Sequence, residues 1–259
     1  MRRLILEEPF SSAAVWSGRT ATFATATSIV SIGIARLGGR DPTGALAVFG
    51  ASLALAFLAL LLAASAAVVI WRTGRRGVAP AAAGFALAVA LLAYPAYLTV
   101  EAVSLPILNE VTTDYETPPT FMISSKAREA RSGRTPPSPN PAAEAVQKSA
   151  YPEVQPILVD LEAVQAYQMS LRIAKELGWR IVDANPPNLR GDGVAHIDAT
   201  DRSLVFAFVD DIAIRIRPLA NQTRIDIRSV SRIGRHDFGA NARRIRKFIA
   251  AVQESVEAP

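Results

Sequence analysis

The chain has 259 residues, half of them hydrophobic, with a mean hydropathy of +0.23, which points to membrane segments. It has no cysteine and only His196 and His236 as histidines, which excludes disulfides, cysteine zinc sites, thiol catalysis and multi-histidine metal sites. The net charge of +5 is uneven, with eight Arg/Lys against four Asp/Glu in residues 1–105 and twenty against nineteen in residues 106–259, so the second part is nearly neutral and a nucleic-acid partner is not expected.

The chain opens MRRLILEEPFSS. Glu7 and Glu8 interrupt it before any long apolar run, so a cleaved signal peptide is not expected. Between Arg19 and Arg36 lie sixteen residues, TATFATATSIVSIGIA, rich in Thr and Ser. This segment spans a bilayer if both arginines snorkel to opposite interfaces; the alternative is an amphipathic surface helix. Residues 42–71 carry no charge, and about 20 apolar residues cross the hydrocarbon core, so a transmembrane helix is expected there. Residues 77–100 form a second charge-free run, with Pro95 as an expected kink and Tyr94 and Tyr97 near an interface. The helices are expected over about 18–38, 43–71 and 78–103. Arg72, Arg75 and Arg76 lie in the short loop between the two strong helices, which places that loop in the cytoplasm. The third helix then delivers the rest of the chain to the periplasmic side of a bacterial inner membrane. With the first segment spanning, Arg2, Arg3 and Arg19 join the inner side, and Arg36 and Arg40 remain outside.

Residues 118–141 contain six prolines among Ser, Gly, Arg and Lys. Such a stretch is expected as an extended or mobile tether, and residues 106–150 as a whole as a linker. A domain is expected over 151–259. Asp160 is a candidate cap for a helix ending at Gly178. Strand-like runs follow: WRIVDA (179–184), VAHIDAT (194–200), SLVFAFV (203–209), IAIRIRP (212–218) and TRIDIRSVS (223–231), with tight turns at Asp201–Arg202 and Ala220–Asn221. Ile212, Ile214, Ile216, Ile225 and Ile227 share one face; Asp211, Arg215, Arg217, Arg224, Asp226 and Arg228 share the other. A last helix begins near Asp237, a good N-cap, with Ile245, Phe248 and Val252 on its core stripe. The expected fold class is N-terminal transmembrane helices followed by a two-layer α+β domain, an antiparallel sheet of about five strands with two helices on one face.

The runs VTTDYETPPTF, YPEVQP, GWRIVDA, FVDDIAIRIRP and IDIRSVSRIGRHDFGANARRIRKF resemble the DUF1499 family, a set of bacterial and plastid proteins of unknown function. The resemblance covers roughly residues 105–255 in pieces, and RSVSRIGRHDFGAN is its most specific part. It implies a domain identity, with N-terminal membrane helices as a frequent companion, and no activity. The position of His196 looks more often acidic in relatives, which weakens any histidine-based mechanism.

Residues 202–247 hold eleven Arg/Lys and four Asp. Three readings fit this block. The first is an anion site built from Asp211, Arg215, Arg228, Ser231, Arg232, Arg235, Asn241 and Arg244, where guanidinium forks meet a helix N-terminus. The second is structural: cross-strand ion pairs, with Arg243, Arg244, Arg246 and Lys247 as a solvated helix face. The third is contact with lipid headgroups. Asp210 and Asp211 are adjacent on a strand, so they point to opposite faces, and Asp211 is expected to pair with an arginine. Ser229 or Ser231 with His236 and Asp237 has triad residue types but no nucleophile elbow. A cation site with His196 and Asp198 lacks converging oxygens, and no cofactor motif occurs.

These readings converge on a membrane-anchored periplasmic module without enzymatic activity. Its expected partners are the bilayer and an anionic lipid, a cell-envelope component or a membrane protein. The alternatives are an enzyme using the Asp211, Arg228 and Ser231 cluster, or an assembly factor for a membrane complex.

Overall fold

A computed structural model describes residues 8–37, 42–138, 140–188 and 191–257. The expected topogenic arginines Arg2, Arg3 and Arg40, together with Glu7, lie outside the described residues. The chain divides into two compact units, Met1–Val100 with Val205–Ala207, and Glu101–Leu204 with Phe208–Pro259.

The first unit holds helices α1 (Ser12–Leu37), α2 (Thr43–Thr73) and α3 (Val78–Ser104), which runs on into the second unit. Among the described residues, these three are long and apolar enough to cross a membrane. At 26 residues, α1 is about 39 Å long against a hydrocarbon core of about 30 Å. Its hydroxyls do not oppose that environment. Thr22, Thr25 and Thr27 donate to carbonyls one turn back, Ser28 Oγ meets Ser52 Oγ at 2.5 Å, and Ser31 Oγ donates to Ala45 O. Small residues let the helices approach: Ala14, Ala66 and Ala81 form one buried layer, and Ala21, Ala59 and Ala88 another. A Cβ on Gly84 would sit 2.6 Å from Ser17 Oγ. The residues leading into α1 lie beside the α2–α3 loop, because Ser11 N donates to Arg76 O at 2.8 Å and the Arg76 guanidinium covers the Phe10 ring.

The second unit contains β1 (Glu110–Thr112), α4 (Ser125–Ala130), α5 (Ala142–Ala150), β2 (Ile157–Val159), α6 (Ala163–Glu176) and β3 (Arg180–Asn185). It continues with β4 (Ala195–Arg202), β5 (Val209–Pro218), β6 (Thr223–Ser231) and α7 (Ala240–Glu257). Among the described residues the sheet has six strands in the order β1-β6-β5-β4-β3, with β2 also paired to β6, and every pairing is antiparallel. The α+β class with membrane helices is therefore as expected. Four of the five expected strands are present as β3 to β6; β1 and β2 were not expected, because at three residues each they are too short to display alternation.

Alternation along β5 and β6 sorts the faces. Ile212, Ile214, Ile216, Ile225 and Ile227 pack with Ile197 under α6 and α7, where Trp179 stacks on Phe248 at 5.6 Å. Six fully buried β-branched side chains on one face give the sheet most of its apolar burial, at about 1.5–3 kcal/mol each.

Five expectations need correction. The run SLVFAFV is not a strand, and Asp201–Arg202 is not a turn. Asp201 pairs with Asp210 and Arg202 with Val209, and the turn lies beyond them, closed by Ser203 N to Phe208 O and by Phe208 N to Ser203 Oγ. Asp160 does not cap α6; Glu162 occupies that position, its backbone N–H donating to Gln165 Oε1. The stretch 118–141 is not a mobile tether, since Pro119, Arg131 and Pro137 are bonded to side chains of the polar sheet face. Arg244 does not belong to a solvated helix face; it is 7 % exposed.

Candidate functional site

The polar face of the sheet carries a lattice of arginines and carboxylates. Asp226, on β6, accepts from Arg215 Nη2 at 2.8 Å and from Arg224 Nε at 2.9 Å. Asp114, just beyond β1, bonds the same two guanidinium groups at 3.0 and 2.7 Å. Burial raises the Asp114 pKa, but hydrogen bonds from Thr117 and the charges of Arg224 and Arg215 outweigh it, leaving the carboxyl below its usual range. Further along the same strand pair, Asp211 accepts two parallel bonds from Arg232 at 2.7 and 2.8 Å. Opposite Arg215 lies His196, whose pKa is lowered by burial and by that guanidinium.

Residues 113–138 run over this face and are fastened to it. Arg131 is 4 % exposed; it donates to Asp198, itself 1 % exposed, and to Met122 O, and its Nε lies 3.5 Å from Asp211. Burial lifts the Asp198 carboxyl above its usual pKa despite Arg131 beside it. Arg228 is also 4 % exposed; it donates to Glu110 at 2.7 Å and to the carbonyls of Pro137 and Pro119. Phe121 lies between the two, its ring 4.9 Å from the Arg131 guanidinium and 5.1 Å from that of Arg228. Proline suits this role at the buried Pro119, because its carbonyl accepts while its missing N–H demands no partner there.

A second cluster sits on the helix face, where β4, β5 and β6 meet the start of α7. Arg244 donates to Asp201 (2.8 Å), Asp210 (2.6 Å), Ser229 Oγ (2.9 Å) and Asn241 Oδ1 (2.7 Å). Asn241 also donates to Ser231 Oγ and Asn109 O. Burial raises the Asp210 pKa, outweighing Arg244. Asp237 accepts from Gly239 N and Asn241 N and so fastens the entry to α7, but the N-cap position itself, directly before Ala240, is held by Gly239, whose carbonyl takes Arg243 N.

The sequence-predicted site residues are thus divided by the sheet. Asp211, Arg215, Arg228 and Arg232 lie on the polar face; Ser231, Asn241 and Arg244 lie on the helix face. Asp210 and Asp211 part in the same way, as their adjacency requires. Arg235 stands exposed in the β6–α7 loop. The triad residue types do not assemble. His236 Nδ1 accepts from Phe238 N, so its Nε2 carries the proton toward Ala102 O; the Asp237 carboxylate is used on α7, and Ser229 on Asn241 and Arg244.

Residues 113–138 also make a cleft of about 520 Å³ above Arg228. Among the described residues lining it are Arg128, Arg131, Arg134 and Arg228 and no carboxylate. Phe121, Met122, Ile123, Pro136 and Pro137 supply its apolar wall. Arg128 and Arg134 are exposed at its rim. Three of the four arginines, together with Phe121, Asp114 and Glu110, precede the expected domain start. The available signal was the run VTTDYETPPTF, whose acidic and aromatic residues a free tether does not need.

No curated protein and no solved structure matches the chain. The sequence model of a family described as a protein of unknown function, DUF1499, matches residues 110–252, beginning at the first residue of β1 and ending inside α7. That span includes the fastened segment, both arginine clusters and the whole sheet, and the chain belongs to the DUF1499 family.

Proposed function

We propose that the protein is a bacterial inner-membrane binding module whose C-terminal domain faces the periplasm and takes up an anionic lipid or another anionic envelope component. The cleft walled by Arg128, Arg131, Arg134 and Arg228 is the site. One observation carries the reading: four arginines line the cleft beside an apolar wall, two of them exposed at its rim, and no carboxylate is among the described residues lining it. Of the residues expected from the sequence, Arg228 belongs to this cleft. Asp211 and Arg232 support it through Arg131. Arg215, Ser231, Asn241 and Arg244 hold the frame. The orientation rests on Arg72, Arg75 and Arg76 beside the α2–α3 loop, with the residues before α1 at the same end.

The test is native mass spectrometry of the full chain gently extracted from its own membrane, beside an Arg128→Gln, Arg134→Gln double variant. Both positions are exposed, so the variant keeps the fold. A retained anionic species in the wild type, lost in the variant, is the expected result. Equal retention in both, or none in either, would sink the reading. A C-terminal phosphatase fusion that is inactive in intact cells would overturn the orientation.

A further inference from the structure

A second cleft, of about 720 Å³, opens at the other end of β5 and β6. Among the described residues it shares no lining residue with the basic cleft. Its floor holds Arg217 and Arg224, which face each other across the strand pair. Arg224 is neutralised by Asp114 and Asp226. Arg217 is not: among the described residues it forms no ion pair, and its Nε is buried without a hydrogen-bond partner. With Arg224 already matched, Arg217 is the half-buried guanidinium on this floor whose charge is not met by a neighbouring carboxylate.

The wall opposite is firmly built. Gln147, fully buried on α5, accepts from Thr112 N at 3.0 Å and donates to Thr112 O at 2.8 Å, so a side chain completes the edge of β1. The same amide oxygen accepts from the Tyr115 hydroxyl, whose pKa is pushed up by burial and by the charges of Glu110 and Glu144. Tyr115, Pro152, Val154 and Pro156 give this wall an apolar surface, and Lys148 stands at the rim, paired with Glu144.

We infer that the Arg217 cleft is a binding site for a monocarboxylate whose body rests on the Tyr115–Pro156 wall. One free guanidinium fork matches one carboxylate with two parallel hydrogen bonds. A dianionic phosphate suits it less, because Asp114, Glu116 and Glu144 also line the cleft and repel the second charge.

The test uses the full chain in nanodiscs of zwitterionic lipid, with benzoate and inorganic phosphate as probes, followed by ligand-observed NMR titration. Benzoate is expected to bind saturably and more tightly than phosphate. Arg217→Gln weakens it at least about tenfold. Arg217→Lys, which keeps the charge and loses the fork, also weakens it and guards against a folding defect in the first variant. Arg134→Gln, in the other cleft, leaves benzoate unchanged. Unchanged benzoate affinity in both Arg217 variants overturns the site. So does the absence of saturation up to about 50 mM. Tighter binding of phosphate than of benzoate overturns the carboxylate assignment.

Discussion

Replacing Arg131 with Met tests how residues 113–138 are held. The substitution keeps most of the side-chain volume and removes the guanidinium that serves Asp198, Asp211 and Met122 O. Arg131 and Asp198 are 4 % and 1 % exposed, so solvent screening barely applies. Deleting one partner of a buried ion pair costs about 3–5 kcal/mol, because the other carboxylate stays buried without its counter-charge. At about 1.4 kcal/mol per tenfold, opening of the sheet becomes more frequent by roughly one hundredfold to a few thousandfold. Hydrogen exchange of the full chain in nanodiscs, read on peptides from β4 and β5, measures this opening directly. Exposed Arg134, mutated to Met, serves as the control and should leave exchange within about twofold of wild type. Acceleration of less than about fivefold in Arg131→Met would falsify the claim that a buried pair fastens this segment.

Other expectations rest on separate parts of the molecule. Arg228→Ala should destabilise the domain by about 3 kcal/mol and Arg246→Ala by less than about 1 kcal/mol, since Arg228 is buried on Glu110 and two carbonyls while Arg246 is exposed; equal urea midpoints would contradict this. Gly84→Leu forces side-chain atoms into Ser17, where even a Cβ would sit at 2.6 Å, and should loosen the three-helix unit by about 1–3 kcal/mol, read by steric trapping in bicelles. An unchanged unit would disprove that packing. The Asp210 pKa is raised in the folded state, so its contribution is full below the unfolded value of 3.8 and is lost as pH rises through the folded value. The stability of wild type minus that of Asp210→Asn should therefore fall as pH rises above 3.8; a difference that grows instead would refute the sign.

The parts of the fold legible in the sequence are those where one side chain in two meets the core. Ile212 to Ile216 and Ile225 to Ile227 alternate with charged residues, and that pattern alone assigns both faces of β5 and β6. The apolar lengths of α2 and α3 are equally direct. The β4–β5 turn was hidden because Leu204, Val205, Phe206 and Phe208 look like strand residues, while the hydrogen bonds that close the turn come from Ser203. Residues 113–138 were hidden for a different reason. Their burial is polar, and each contact is supplied from far along the chain: Asp198 for Arg131, Arg228 for Pro119 and Pro137. No local period records such pairings. The candidate site suffered from the same limit, since one arginine-rich block in sequence becomes two clusters on opposite faces once the strand is laid flat.

The position of β6 has a consequence for synthesis. It pairs with β1, β2 and β5, and Glu110 meets Val230 only after 120 intervening steps along the chain (230 − 110). Such non-local pairings are slow to form, because loop closure precedes any gain in contacts. A nascent chain halted before Thr223 would hold β1 and β2 without their common partner, and Arg228 would not yet exist to seat Pro119 and Pro137. The sheet edge that emerges first is completed last, so a truncated product lacking β6 is not a smaller domain but an unfolded one, with two unpaired strand edges open to proteases.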